Sequence, residues 1–133
     1  MPLFGGRRDD AYDTRSRDYV LTGEPVVTAD SFVVLVDLVV RFDHVPQPDG
    51  PGLDWNPSDE AAINAVAVAT LRVEGEKALR DEVMAERARL VEPVGRALSF
   101  APVAAGFRST PVSLEVRAHE DGAPRSSQFR VVG

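Results

Sequence analysis

The chain has 133 residues, 44% of them hydrophobic, a formal charge of −6 and no cysteine. That length gives room for one domain with a real core, and the apolar content argues against wholesale disorder. The acidic balance argues against nucleic-acid phosphate and anionic lipid as main partners. Without cysteine there are no disulfides, no thiolate chemistry and no cysteine-zinc site, which fits a reducing, cytoplasmic setting.

The first 18 residues, "MPLFGGRRDDAYDTRSRD", lack an apolar segment of signal-peptide length, and Pro2 stands where myristoylation needs glycine. Arg7, Arg8, Arg15 and Arg17 balance Asp9, Asp10, Asp13 and Asp18, so residues 1–18 read as a solvated, flexible arm. A single domain is expected over residues 19–122. Residues 123–133 are expected to be a tail or a short final strand, "QFRVV", whose unpaired edge invites a neighbour's sheet.

Residues 19–22 and 26–28 read as short strand pieces around a turn at Gly23-Glu24-Pro25, with a second turn at Ala29-Asp30-Ser31. The run "SFVVLVDLVV", residues 31–40, is too short to span a bilayer, which takes about 20 apolar residues. Its β-branched bias predicts a strand over residues 32–42. Strand alternation puts Phe32, Val34, Val36, Leu38, Val40 and Phe42 on one face. The opposite, mixed face carries Val33, Leu35, Asp37, Val39 and Arg41, with Asp37 paired or solvated rather than catalytic.

"DHVPQPDGPGLDWNP", residues 43–57, is a proline- and glycine-rich loop ending in Asn56-Pro57, a good N-cap followed by proline at the first helical position. Asp59 and Glu60 then suit the first turn of a helix over residues 57–74. Its apolar face is Ile63, Val66, Ala67, Thr70 and Leu71. Gly75 breaks the run, and a second helix is predicted from residue 76 to 100, kinked or split near Val91 by Pro93. Leu79, Val83, Leu90, Val94 and Ala97 form its stripe. Glu86 falls within that stripe and is expected to reach out to water or to Arg89. After Gly106-Phe107, "TPVSLEVRA" alternates as a half-exposed strand with Val112, Leu114, Val116 and Ala118 on one side.

No catalytic signature emerges. His44 and His119 have no second histidine at metal-ligand spacing, and nucleotide-loop and nucleophile-elbow patterns are absent. Asp49, Asp54, Asn56, Asp59 and Glu60 are oxygen donors close in sequence, but they miss the calcium-loop spacing, and the last three are explained by helix-start chemistry. No metal and no cofactor is expected. Trp55, beside Leu53, either staples its loop onto the core or anchors an interface.

The segments "VVTADSFVVLVDLVVRFDHV", "AVATLRVEGEKALRDEVMAERARLVEPV" and "GFRSTPVSLEVRA" together resemble the SPFH or band-7 domain of the stomatin, prohibitin and flotillin families. The carrying features are Ala29-Asp30-Ser31 before a long strand ending in Arg41-Phe42, then Leu71-Arg72 ahead of Gly75. Arg87 before Leu90, Val91 and Val94, and the Gly106-Phe107 step, complete them. The resemblance spans about residues 19–118 and implies an α+β domain, a small antiparallel sheet with two helices packed on one face. It implies a non-enzymatic scaffold or adaptor, either self-associating as a homo-oligomer or pairing with a larger band-7-type partner. Family members generally add an N-terminal membrane segment, a longer set of leading strands and a C-terminal coiled coil. None of these is read here, so direct membrane insertion is not expected. The expected contact residues are Val33, Leu35, Val39, Leu53, Trp55 and Glu86. The alternative is a ligand-binding or enzymatic α+β domain with a pocket between sheet and helices, using Asp37, Arg41, Glu86 and Arg87.

Overall fold

In the computed structural model, strand β1 (Ser16–Val27) pairs antiparallel with β2 (Val33–His44), and β2 pairs with β3 (Phe107–Ala118). Strand β4 (Gln128–Val132) closes the other side, giving a four-stranded antiparallel sheet in the order β3-β2-β1-β4. The structure describes residues 16–45, 55–119 and 127–133. Helices α1 (Pro57–Gly75), α2 (Arg80–Ala85) and α3 (Ala88–Phe100) lie between β2 and β3 in sequence and pack on one face of the sheet. This is the small α+β fold that the sequence implied.

Two boundaries move. Ser16, Arg17 and Asp18 belong to β1, pairing with Asp43, Phe42 and Arg41, rather than to an arm. The expected N-terminal arm, residues 1–15, otherwise lies outside the described residues. The final "QFRVV" is a strand of the chain's own sheet, with Val131 opposite Tyr19.

The expected turn at residues 23–25 is a bulge within one twelve-residue strand. The β1–β2 register steps between Leu21 and Glu24, and Gly23 takes a φ of 71°, a conformation that costs glycine little. Asp37 on β2 secures the step by accepting the Gly23 N–H at 2.8 Å. Pro25 lies beyond residues 18–22, the stretch paired with β4, so its missing N–H interrupts no ladder on that side.

Helix α1 starts as its residues dictate. Asn56 accepts the Asp59 N–H at 2.8 Å, and Asp59 accepts the Asn56 N–H at 2.9 Å, with Pro57 at the first helical position. Ile63, Ala67, Leu71 and Gly75 are its buried residues. Gly75 is needed for clearance: a Cβ there would collide with Val26 Cγ1 on β1.

The second predicted helix is two helices, and the break falls at Glu86 and Arg87 rather than near Val91. Pro93 sits inside α3. A proline conflicts with the carbonyl four residues back, here that of Arg89. Pro93 is the sixth residue of α3, beyond the first four whose N–H groups have no ladder partner, so the Arg89 carbonyl loses its donor and the helix runs through the proline nonetheless. The restart at Ala88 resets the stripe. Val83, Leu90 and Val94 are buried as expected, Leu98 joins them, Ala97 is half-buried, and Leu79 stands exposed before α2. Asp30, in the β1–β2 turn, holds this corner by accepting the Arg80 N–H at 3.0 Å.

The core is the even face of β2 under the helices. Val34, Val36, Leu38, Val40 and Phe42 are fully buried, whereas Phe32, one residue before the strand, is exposed beneath the Arg80 guanidinium. Leu38 stands between Leu21 on β1 and Leu114 on β3, a row of three leucines across three strands. Leu114 and Val116 face inward on β3, but Val112 does not. It falls at a register step between the pairs Val39 with Ser113 and Val40 with Pro111, and it is exposed.

Candidate functional site

The sheet face away from the helices carries the mixed residues of β2. Val33 and Val39 are half-buried there, and Leu35 is only 7% exposed. Val27 opposes Val33, Pro25 opposes Leu35, and Val20 opposes Val39, so the apolar groups of this face meet in cross-strand pairs. Its charges are also matched. Arg117 donates to both oxygens of Asp37 at 3.0 Å, and Arg41 donates to both oxygens of Asp18 at 2.9 and 3.2 Å. The Arg117 hydrogen bonds, helped by the Gly23 N–H, hold the Asp37 carboxyl below the usual carboxylate range despite its partial burial. Asp37 is a paired carboxylate, as expected.

Trp55 is half-buried in an aromatic cluster. Its ring lies 5.0 Å from that of Phe42 and 4.9 Å from that of Phe107, and His44 joins at 5.9 Å from Phe107. The staple role therefore fits Trp55 better than an exposed anchor. Leu53, with Asp49 and Asp54, lies outside the described residues. Glu86 is exposed and pairs with Arg89 at 3.3 Å. Among the described residues no three of His, Asp and Glu gather as a metal would require, and no helix is long and apolar enough to cross a membrane.

The four polar groups of the ligand-pocket alternative do not converge. Asp37 and Arg41 point away from the helices, Glu86 pairs along its own helical corner, and Arg87 pairs with Glu115 on β3 at 3.2 Å. Where such a pocket would lie, Val36, Leu38, Ile63, Leu71 and Leu90 are fully buried. Two polar groups do enter this interior, and sequence reading missed both. Tyr19 donates to Asn64 Oδ1 at 2.8 Å. Burial, with the nearby Glu24 charge, pushes the Tyr19 phenol well above its ordinary value. Glu24 itself is 1% exposed, and Arg72 reaches in from α1 to meet it at 3.0 Å. The bulge turns Glu24 inward, and a bulge between Leu21 and Glu24 leaves little trace in an alternation pattern.

A second surface was also missed. Helix α3 meets the edge strand β3 closely at Gly95 and Pro111, and an open groove of about 540 Å³ runs along this contact. Val91, Gly95 and Phe100 form its helical wall and Pro111 its sheet wall. Ser99 and Ser109 bridge the two at 2.9 Å. Phe100 stands at the end of α3 with 84% of its surface exposed. A signal existed in the sequence: Phe100 follows Ser99 at a helix end, off the apolar stripe, where a large ring has no core to enter.

No protein-family model matches the chain, and a search of curated proteins finds no match.

Proposed function

We propose that the chain is a non-enzymatic interaction module of the SPFH or band-7 kind, which associates with a second copy of itself or with a longer band-7-type protein. The observation that carries this is where the large apolar side chains sit. Those between sheet and helices are closed against one another, while Phe100 on α3 and Val112 on the edge strand β3 stand more than half exposed. An exposed ring beside a groove fits protein contact better than chemistry on a small molecule.

Two strands, a helical stretch of three helices and a return to the sheet support the family part of the reading, as do the stations of the residues that carry the resemblance. Asp30 ties the first turn to α2, Arg72 neutralises Glu24, and Arg87 ties the helical corner to β3 through Glu115. Each is an architectural role, as in a scaffold.

Light scattering on the purified chain, coupled to size exclusion over a wide concentration range, tests the proposal. The expected result is a mass above the 14.4 kDa of one chain, rising with concentration, or a stable complex on pull-down. A single-chain mass throughout, with no partner recovered, overturns it.

A further inference from the structure

We infer that the groove between α3 and β3 is the self-association surface, occupied by the α3 of a second copy in an antiparallel, two-fold arrangement. The inference rests on the proposed self-association and names its place. It is carried by the charges at the groove. Glu92 and Arg96 both line it, both are exposed, and neither has an ion-pair partner among the described residues. The nearest charges at the start of α3 are matched within the chain, Arg89 with Glu82 and Glu86, and Arg87 with Glu115.

A two-fold axis level with Val94 resolves this. Two antiparallel helices crossing there bring Glu92 of one copy level with Arg96 of the other, and the symmetry makes the same pair twice. The same axis places Phe100 level with the first turn of the partner's α3. A helical side chain leans toward the helix N-terminus, so the Phe100 ring is carried back along its own helix toward the partner's Val91. Gly95 serves the chain's own packing, since a Cβ there would stand 3.3 Å from Pro111 Cγ on β3, so the partner's helix meets the outer residues of α3 and not this glycine.

A helix fits the groove better than a strand. Pro111 has no N–H, and the register step at Val112 breaks the row of β3 groups there, so an added strand would find a discontinuous edge.

Sedimentation velocity on the intact chain and three variants tests this, with circular dichroism confirming that each is folded. Phe100→Ser removes the ring. Arg96→Glu sets two Glu–Glu contacts across the axis. The double variant Glu92→Arg with Arg96→Glu exchanges the charges and restores both pairs. The expected result is a dimer constant weakened roughly 30-fold by either single substitution, as for a central anchor of an interface. The double variant is expected to regain most of the loss that Arg96→Glu causes. Single variants that associate like the parent chain overturn this surface while leaving self-association standing. A charge exchange without recovery overturns the antiparallel pairing. A parent chain that stays monomeric at every concentration overturns the inference together with the self-association it rests on.

Discussion

Leu38 is the position at which the fold is most directly tested. It is fully buried at the centre of β2, opposite Leu21 on one side and Leu114 on the other, beneath the helices. Truncation to alanine removes three carbons, one methine and two methyls, from a site whose neighbours are held by two ladders and cannot easily collapse inward. Buried leucine-to-alanine changes cost about 2–5 kcal/mol, the upper part of the range applying where collapse is limited, so about 3–4 kcal/mol is expected here. Against a typical total of about 5–15 kcal/mol, that is a large fraction. Leu38→Asp places a carboxylate in the same site without a partner and is expected to leave the chain unfolded. Urea unfolding followed by the fluorescence of Trp55, the sole tryptophan, is the assay, because its ring packs on Phe42 and Phe107 and reports loss of the core. Val112→Ala, on the exposed side of β3, is the control and should shift stability by less than about 0.5 kcal/mol. If Leu38→Ala behaved like that control, or Leu38→Asp gave a cooperative, near-unchanged transition, the placement of β2 under the helices would be refuted.

Three other outcomes are expected. Arg72→Ala should destabilise by about 1–3 kcal/mol, since it strands the Glu24 carboxylate, and adding Glu24→Leu should recover part of the loss; equal stability of the parent and Arg72→Ala in urea would contradict the pairing. That range is kept below the full cost of breaking a buried ion pair because the Arg72 side chain is 60% exposed. Asp37 has a lowered folded-state pKa, so its contribution is present above the unfolded value of about 3.9 and is lost as pH falls through the folded one. Asp37→Asn should therefore be less stable than the parent at neutral pH, with the gap closing below about pH 4; a gap independent of pH would sink the Arg117 attribution. Gly75→Ala gains up to about 1 kcal/mol of helix propensity but forces a methyl against Val26, an overpacking of about 1–3 kcal/mol, so the melting temperature should fall rather than rise.

How much of this was legible depended on whether the signal was local. The start of α1 was readable at Asn56, Pro57 and Asp59, because capping uses residues that touch within one turn. The burial of β2 was readable because its alternation runs unbroken from Val34 to Phe42. Reading failed where one residue shifts a phase. The bulge at Gly23 joined two expected strand pieces and turned Glu24 inward, and the step at Val112 turned an expected core residue outward. The break at Glu86 escaped because Pro93 was the stronger local sign, yet α3 runs through Pro93. Of the expected contact residues, Leu35 is nearly closed off and Trp55 is committed to its aromatic cluster, and neither fact could be read without the opposing strands. Phe100 was legible only as a ring that fits no stripe.

The distribution of charge separates the two exposed surfaces. On the open face of the sheet, Asp18 with Arg41 and Asp37 with Arg117 are each closed by two hydrogen bonds within the chain. A partner docking there would strip water from charges that already have their counterparts, losing hydration with no new pairing to offset it. An antiparallel sheet with one solvated face is stable as it stands, so Val33 and Val39 need no cover. On the outer flank of α3 the balance is reversed. Glu92 and Arg96 are unmatched within the described chain, and Phe100, the most exposed large ring among the described residues, stands beside them. Covering that flank with its own copy adds two ion pairs and buries two phenyl rings, whereas covering the sheet face adds neither. Association, where it occurs, should therefore respond to substitutions at Phe100 and Arg96 and be indifferent to those at Val33 and Val39.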